Sequence, residues 1–193
     1  MFADIELNNL GRARLLAAIA DYAPSCPDEA ATIERFQAFV RAHADCFERS
    51  QSAGDITDSA LILSPDGKHA LLMHHRKLDR WLQPGGHADG DSDTARVASR
   101  EVSEETGLAG FVCRAQIFDL DVHPIPARGD EPAHFHFDVR HLVHADNLAI
   151  VGNHESLALR WFSLEEIAAF EEESLRRMAI KALKRRAPTL TPS

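Results

Sequence analysis

The sequence predicts an α/β fold in which helices pack on a mixed β-sheet. Two apolar runs flank the turn "SPDG" at residues 64–67, which is a strong β-hairpin signal. Residues 93–107, "DTARVASREVSEETG", repeat apolar side chains at helical spacing and end at a glycine. Strand and helix patterns alternate without an internal repeat, which favours helices packed on a mixed sheet over an all-helical or all-strand domain.

The first 52 residues predict a helical extension. One helix is expected over "NNLGRARLLAAIADYA" and a second over "SCPDEAATIERFQAFVRAHADCF", where apolar residues recur every three to four positions. The simplest interpretation is an extension that packs on the main domain. The alternative is a dimer interface or a lid, and a homodimer is therefore one expected state of the protein.

The remaining elements follow in order. The hairpin strands occupy "DSALILSPDGKHALLMHH", and a loop rich in Gly, Asp and His leads from them to the acidic helix. Two further strands are expected in "AGFVCRAQIFDLDVHPIP" and "AHFHFDVRHLVHA". "LALRWFSLEEIAAF" predicts a strand that runs into a helix, "ESLRRMAIKALKRRA" predicts a basic amphipathic helix, and residues 188–193 form a tail.

Composition and charge limit the classes of function. The formal net charge is −9, so the surface lacks the basic footprint that polymeric nucleic acid requires. Three cysteines, Cys26, Cys46 and Cys113, form no C-x-x-C pair and imply free thiols in a reducing compartment. The N-terminus lacks the apolar segment of a signal peptide, and no run is long enough to span a membrane. We expect a soluble cytoplasmic protein.

The acidic helix carries three glutamates at i, i+3 and i+4. Glu101, Glu104 and Glu105 therefore share one edge, where like charges destabilise an isolated helix. One interpretation is a solvated acidic face, which is a common arrangement. The other is a site for Mg²⁺ or Mn²⁺, because these cations prefer carboxylate oxygens and leave positions for water and substrate phosphate.

The residues around the cluster resemble the Nudix box, G-x5-E-x7-R-E-U-x-E-E-x-G-U, in which U is apolar. Eight of the nine specified positions match, from Gly86 to Leu108. The resemblance implies a Nudix-type α/β/α sandwich over residues 53–187. It implies hydrolysis by water of a diphosphate that links a nucleoside to another moiety, and the flanks resemble a bacterial group of the family. The implied metal ligands are Glu101, Glu104, Glu105 and the Gly85 carbonyl.

The same resemblance suggests roles in catalysis. Glu104 or Glu105 would help to deprotonate the water, and Arg100 would hold a carboxylate in one rotamer. In some members a base lies outside the box, and Glu155, six residues before Trp161, is the candidate in this chain. The alternative is that Glu155 is an ordinary solvated loop residue.

Ser92 stands where the motif has Glu. Serine supplies no negative charge and accepts no bidentate bond from Arg. Either Ser92 or Asp93 can cap the helix; we favour Ser92 as the cap, with Asp89, Asp91 or Asp93 replacing part of the lost charge. Alternatively the position is dispensable, or catalysis is lost and the protein is a nucleotide-binding sensor or an interaction module.

The flanks suggest how a small phosphorylated substrate binds. Cations upstream of the box and histidines of the later strands are the candidates: Arg76, Lys77, Arg80, His87, His123, His134 and His136. The strand residues alternate so that histidines and aspartates share one face, which is either a pocket wall or a solvated face. A dedicated zinc site there is the less favoured alternative. An isopentenyl diphosphate isomerase-like enzyme is a further alternative, and Cys113 would be its catalytic cysteine.

Overall fold

The computed structural model describes residues 2–129 and 132–186, and the predicted tail at 188–193 lies outside these residues. The helices are α1 Phe2–Tyr22, α2 Ala30–Ala42, α3 Thr94–Thr106, α4 Leu164–Ala168 and α5 Glu173–Arg186. The strands are β1 Gly54–Leu63, β2 His69–His75, β3 Arg80–Leu82, β4 Gly85–His87, β5 Phe111–Ile125, β6 His134–Ala145 and β7 Ser156–Ser163. None of the described helices has the length and apolar character needed to cross a membrane.

The strands form one seven-stranded sheet. Its main path runs β3-β2-β1-β6-β5, with β4 paired to β1 and β7 paired to β2. The predicted hairpin is confirmed, since β1 and β2 pair antiparallel with Ile62 opposite Leu71. The prediction of a mixed α/β fold is therefore confirmed.

The segment between β2 and α3 differs from the sequence-based expectation of a loop. It contains two three-residue strands, β3 and β4. β4 pairs antiparallel with β1, placing Gly86 opposite Asp58 and Gly85 opposite Ser59. Strands this short have no alternation that a sequence can display, and backbone pairing alone defines them.

The chain divides into two compact units, and the first comprises Met1–Ala60, Gly85–Glu101 and Cys113–Leu142. Its hydrophobic core joins apolar residues of α1 and α2 to those of the strands: Leu15, Ile19, Phe36, Phe39, Val40, Ile56, Leu120, Phe137 and Val139. Phe39 stacks on Phe137 with ring centroids 3.8 Å apart. The N-terminal helices therefore pack as part of this unit's interior.

The second unit comprises Leu61–Pro84, Val102–Val112 and Val143–Ser193. β2 pairs antiparallel with β7 from His69 opposite Ser163 to His75 opposite Ser156, and the register shifts between His74 and His75. Ser163 caps α4 by accepting a hydrogen bond from the Glu166 backbone N–H, and the Glu166 side chain accepts one from the Ser163 N–H.

Candidate functional site

Helix α3 is continuous across the predicted acidic cluster. Asp93 caps the helix, because its Oδ1 accepts a hydrogen bond from the Arg96 N–H at 3.1 Å. Glu104 is exposed, Glu105 is buried, and Glu101 lies between these extremes. The i, i+3, i+4 spacing on one helix is thus realised, with the three carboxyl groups at different depths.

Glu101 is held in place by its neighbour and by a glycine. Arg100 donates two hydrogen bonds to Glu101 Oε1, at 2.8 and 3.2 Å, and a third to the His87 carbonyl at 3.0 Å. A Cβ at Gly86 would lie 2.6 Å from Glu101 Cδ, so any larger residue would displace the carboxyl group. One carboxylate is therefore fixed against the β4 backbone, as the expected role of Arg100 requires.

Gly85 makes an equally close approach on the other side of β4. A Cβ at this position would lie 2.4 Å from Ser59 Cβ and 2.9 Å from the Asp58 carbonyl oxygen. Glycine is therefore required for β4 to pair with β1 at this distance. The two glycines let the β4 backbone lie between β1 and α3 at Glu101.

Of the two expected caps the structure has Asp93, so the favoured cap, Ser92, is wrong. Ser92 instead contacts α1, where a Cβ at Gly11 would lie 2.3 Å from Ser92 Cβ. The neighbouring carboxylates are also engaged: Asp89 pairs with Arg49 at 2.6 Å and Asp91 pairs with Arg96 at 2.6 Å. Position 92 is thus a packing position against an N-terminal helix.

Asp58 is a buried carboxyl group in the middle of β1. Its side chain is 0% exposed, and within the described part of the chain neither carboxyl oxygen has a hydrogen-bond partner. Burial, reinforced by the charges of Asp138 and Asp91, raises the pKa of Asp58 well above its ordinary value, and Arg100 opposes the shift. Asp58 is therefore a carboxyl group whose ionisation is disfavoured by the interior of the first unit.

The face of the first unit that carries alternating aspartates and histidines is not simply solvated. Arg140 is 2% exposed and contacts Asp138 at 2.7 Å, Asp119 at 3.1 Å and Asp121 at 3.1 Å. Burial acts to lower the pKa of Arg140, but the three carboxylates outweigh it and raise that pKa. Ser59 donates to Asp138 at 2.8 Å. This part of the face is a closed ion network.

Four histidines of the same unit gather beside this network. His87 Nδ1 lies 2.6 Å from Asp55 Oδ2, and the rings of His87 and His136 are 4.8 Å apart. His123 and His134 lie 5.4 and 5.2 Å from His136. Burial lowers the pKa of His136 to about 3, so its imidazole is neutral at physiological pH. All four predicted histidines are thus brought together.

The predicted cations of the second unit divide into two groups. Arg76 is used structurally, since its guanidinium donates to the carbonyls of His154 at 3.0 Å and Ser156 at 3.1 Å. Its backbone N–H also donates to the Glu155 carbonyl at 2.8 Å. Lys77 and Arg80 are exposed. Arg76 therefore fixes the loop that carries Glu155.

Glu155 lies in a loop that is tied to the end of α3. Its side chain is 44% exposed, and β7 begins at the next residue. The loop starts where the Val151 N–H donates to the Thr106 carbonyl at 2.8 Å. Gly107 has a φ of +64°, and a Cβ at this position would lie 3.0 Å from Val151 Cβ. Within the second unit, the loop of Glu155 thus packs on the helix exit.

Cys113 does not have the environment of a catalytic thiolate. Its Sγ contacts the Ala95 carbonyl at 3.7 Å, and burial raises its pKa. Ala95 lies about half a turn around α3 from Glu104 at 100° per residue. The isomerase-like alternative therefore has no support at this cysteine.

Sequence reasoning missed two residues of β1, Asp55 and Asp58. Both are buried polar residues, at 1% and 0% exposure. The available signal was the strand "GDITDSALIL", in which two carboxylates interrupt an otherwise apolar and hydroxyl-bearing run. A charged residue inside a fully buried strand marks either an ion pair or a functional group.

The chain is similar to known proteins of one family. The NUDIX domain family model matches residues 55–183. The curated protein "CMP-5'-(N-acetyl-N-hydroxy-3-aminopropyl)phosphonate hydrolase" of Streptomyces rubellomurinus is 31% identical over 119 residues, which are 57% of this chain and 53% of the relative. The matched region therefore spans about half the length of that relative.

Two solved structures share the fold. The MutT protein from Methanosarcina mazei Go1 is 21% identical and has a TM-score of 0.53, over 72% of this chain and 99% of that one. The dihydroneopterin triphosphate pyrophosphohydrolase of E. coli is 18% identical, with a TM-score of 0.53, over 64% of this chain and 91% of that one.

Proposed function

The chain belongs to the Nudix hydrolase family, and from that premise we propose that it hydrolyses a diphosphate bond in a nucleoside diphosphate linked to another moiety. Water attacks phosphorus and the diphosphate separates into two phosphorylated products. The observation that carries the proposal is the arrangement of Arg100, Glu101 and Gly86. These three residues of the Nudix box are in contact, and the Glu101 carboxylate is held between Arg100 and the backbone at Gly86.

The side chains of α3 fit a hard divalent cation. Glu101, Glu104 and Glu105 offer carboxylate oxygens, and the Gly85 carbonyl is the proposed fourth oxygen donor. An all-oxygen donor set is typical of Mg²⁺ or Mn²⁺ sites. Bound there, such an ion would neutralise charge on the diphosphate. Arg100 contributes by keeping Glu101 in a single orientation, which lowers the cost of assembling the site.

The proton of the attacking water needs an acceptor. Glu104 is exposed and lies on the helix that carries the ligands, so it is one proposed base, with Glu105 the alternative on the same helix. Glu155 is the proposed base outside the box, because Arg76 and the Thr106 carbonyl fix the loop that carries it. Positioning and charge stabilisation then supply most of the rate enhancement.

The proposed substrate is a small nucleotide derivative. The curated relative is named as a hydrolase of a CMP-5'-linked phosphonate, and a nucleotide joined to a second group is the class proposed for this chain. Lys77 and Arg80, which are exposed, are the proposed contacts to phosphate. His123 and His134 are proposed to line the substrate-binding face. Residues 53–187 are the proposed catalytic domain.

Phosphate or nucleotide release across a panel of nucleoside diphosphate derivatives, with and without Mg²⁺, tests the proposal. At least one compound should be cleaved in a Mg²⁺-dependent manner. Glu104→Gln should lower kcat by about 10²-fold or more, because a general base contributes about 10²–10⁴-fold. Glu155→Gln, measured in parallel, separates the two proposed bases.

The matched control is Glu34→Gln, which removes the same charge from an exposed position on α2. It should leave the rate unchanged. If no compound is turned over while one binds tightly, the protein is a nucleotide-binding module and the hydrolase proposal fails. If Glu155→Gln retains near-normal kcat, Glu155 has no part in the reaction.

A further inference from the structure

A second group of possible metal ligands lies in the first unit. Asp55 of β1, His87 of β4 and His136 of β6 each offer one ligand atom, and these atoms all lie within 4.8 Å of one another. Three different strands therefore converge on one point. None of the three residues belongs to the glutamate set of the Nudix box.

The burial of Asp55 requires an explanation. Its side chain is 2% exposed, and the two imidazoles beside it are 22% and 17% exposed. A buried carboxylate is costly unless it is paired or coordinates a metal. His87 supplies one contact at 2.6 Å, whereas His136 Nε2 remains 4.0 Å from Asp55 Oδ1. The second contact is too long for a hydrogen bond, so His136 does not pair with the carboxylate directly.

The spacing is close to that of a coordination shell. Ligand atoms about 2.0–2.1 Å from a tetrahedral ion are separated from one another by about 3.4 Å. The widest separation, at most 4.8 Å, would close by roughly 1.4 Å or less, and the 2.6 Å contact between Asp55 and His87 would open by roughly 0.8 Å.

From this geometry we propose that Asp55, His87 and His136 bind one first-row transition cation, with Zn²⁺ as the representative ion. Two imidazoles and one carboxylate are donors typical of zinc and related ions, whereas the all-oxygen set on α3 favours Mg²⁺ or Mn²⁺. The protein would then carry two cation sites of different chemistry.

Two further histidines lie beside the three proposed ligands. The rings of His123 and His134 lie 5.4 and 5.2 Å from that of His136. His123 Nδ1 lies 3.0 Å from Asp121 Oδ2, a carboxylate–histidine pairing that fixes ring orientation. Three protein ligands with one open position, flanked by oriented imidazoles, is the arrangement in which a fourth ligand is water or substrate.

The cluster also connects to the box through β4. The His87 carbonyl accepts a hydrogen bond from Arg100 at 3.0 Å, and the His87 imidazole is one of the proposed ligands. A cation held by His87 would therefore fix the strand on which Gly86 supports Glu101. The new site would act on the Nudix site by holding this strand in place.

Titration of the full-length protein with Co²⁺ in a large excess of Mg²⁺ tests the proposal. Co²⁺ replaces Zn²⁺ and has visible absorption that reports nitrogen ligands and their number. One Co²⁺ should bind per chain with a nitrogen-ligand spectrum, and Zn²⁺ should displace it. His136→Gln and Asp55→Asn should each weaken Co²⁺ binding at least about tenfold.

Two controls separate this site from others. His69→Gln removes a half-exposed histidine of the second unit and should leave the spectrum unchanged. A Glu101→Gln/Glu104→Gln double variant should abolish hydrolysis but retain Co²⁺ binding, so failure of either proposal is distinguishable.

Unchanged Co²⁺ binding in both His136→Gln and Asp55→Asn would overturn the proposal, as would the absence of any nitrogen-ligand spectrum. Asp55 and His87 would then form only a hydrogen-bonded pair. If either variant fails to fold, imidazole ¹⁵N chemical shifts of the wild-type protein provide the second test. Zn²⁺ should shift the ring nitrogens of His87 and His136 and not that of His69.

Discussion

At the scale of single residues, the site depends on how Arg100 binds two acceptors at once. Its guanidinium spans the Glu101 carboxylate and the His87 carbonyl, which a planar fork of donors can do and a point charge cannot. The motif therefore needs Arg for geometry as well as for charge. A substitution that keeps the charge separates these two contributions.

Arg100→Lys is expected to lower the apparent affinity for Mg²⁺ in hydrolysis while leaving the fold intact. Lysine loses at least one of the two acceptors, so Glu101 is no longer held in one rotamer. The Mg²⁺ concentration for half-maximal hydrolysis should rise about 10–100-fold. Arg96→Lys, at an exposed position of the same helix, should not change it. An unaltered Mg²⁺ dependence in Arg100→Lys would contradict the assigned role.

Asp58 predicts an unusual pH dependence of stability. Its pKa is raised in the folded protein, so the folded state binds this proton more tightly than the unfolded chain does. Its contribution to stability is therefore complete below the unfolded pKa, about 4, and is lost as pH rises towards the folded pKa. At neutral pH, burial of Asp58 is a net cost.

Asp58→Asn should remove that cost, because asparagine has nearly the same shape and does not ionise. Compared with the wild type, we expect a higher Tm at about pH 8 and a smaller fall in Tm between about pH 5 and pH 8. Each kcal/mol of added free energy of unfolding raises Tm by about 2–4 °C. Asp21→Asn, at an exposed position of α1, is the control. A lower Tm for Asp58→Asn at both pH values would show that the ionised carboxylate stabilises the fold.

At the scale of elements, the sequence predicts what depends on local pattern. Helix α3 was predictable because its apolar stripe and its glycine exit are properties of a continuous segment. β3 and β4 were not, because three residues carry no periodicity and pairing with β2 and β1 defines them. The prediction that Ser92 caps α3 was wrong for a similar reason. Serine is a good cap by residue type, but the Ser92 side chain packs against α1, which is distant in the sequence.

The contact between α1 and the loop before α3 changes the expected effect of replacing a helical glycine by alanine. Replacing a helical glycine by alanine usually stabilises a helix by about 1 kcal/mol. At Gly11, however, the new Cβ would lie 2.3 Å from Ser92 Cβ. Gly11→Ala is therefore expected to lower the free energy of unfolding by about 1–3 kcal/mol, measured by urea denaturation.

The Ser92→Gly background provides the matched test. Removing the Ser92 side chain leaves space for a Cβ at position 11, so Gly11→Ala should be neutral or stabilising there. Equal effects in both backgrounds would mean that the two residues do not interact. By the same argument, Ser92→Glu should lower stability, and restoring the motif residue should not raise hydrolysis.

At the scale of the whole molecule, the sequence did not predict which residues the N-terminal helices contact. Helical periodicity identified which faces of α1 and α2 are apolar, but periodicity does not identify what those faces contact. The family model begins at residue 55, so the resemblance gave no guidance either. The structure joins Phe36 and Val40 of α2 to Phe137 and Val139 of β6 in one core cluster.

Phe36→Ala is therefore expected to destabilise the protein by about 3–5 kcal/mol, the usual cost of deleting a buried aromatic side chain. Phe36 is 0% exposed and packs edge-to-face on Phe137 at 5.4 Å. Leu10→Ala, at a position 48% exposed on α1, should change stability by no more than about 0.5 kcal/mol. Both values come from urea denaturation, followed through tryptophan fluorescence. A helical lid or a dimer interface that undocks from a self-sufficient domain would give the opposite result, with Phe36→Ala leaving the main unfolding transition unchanged.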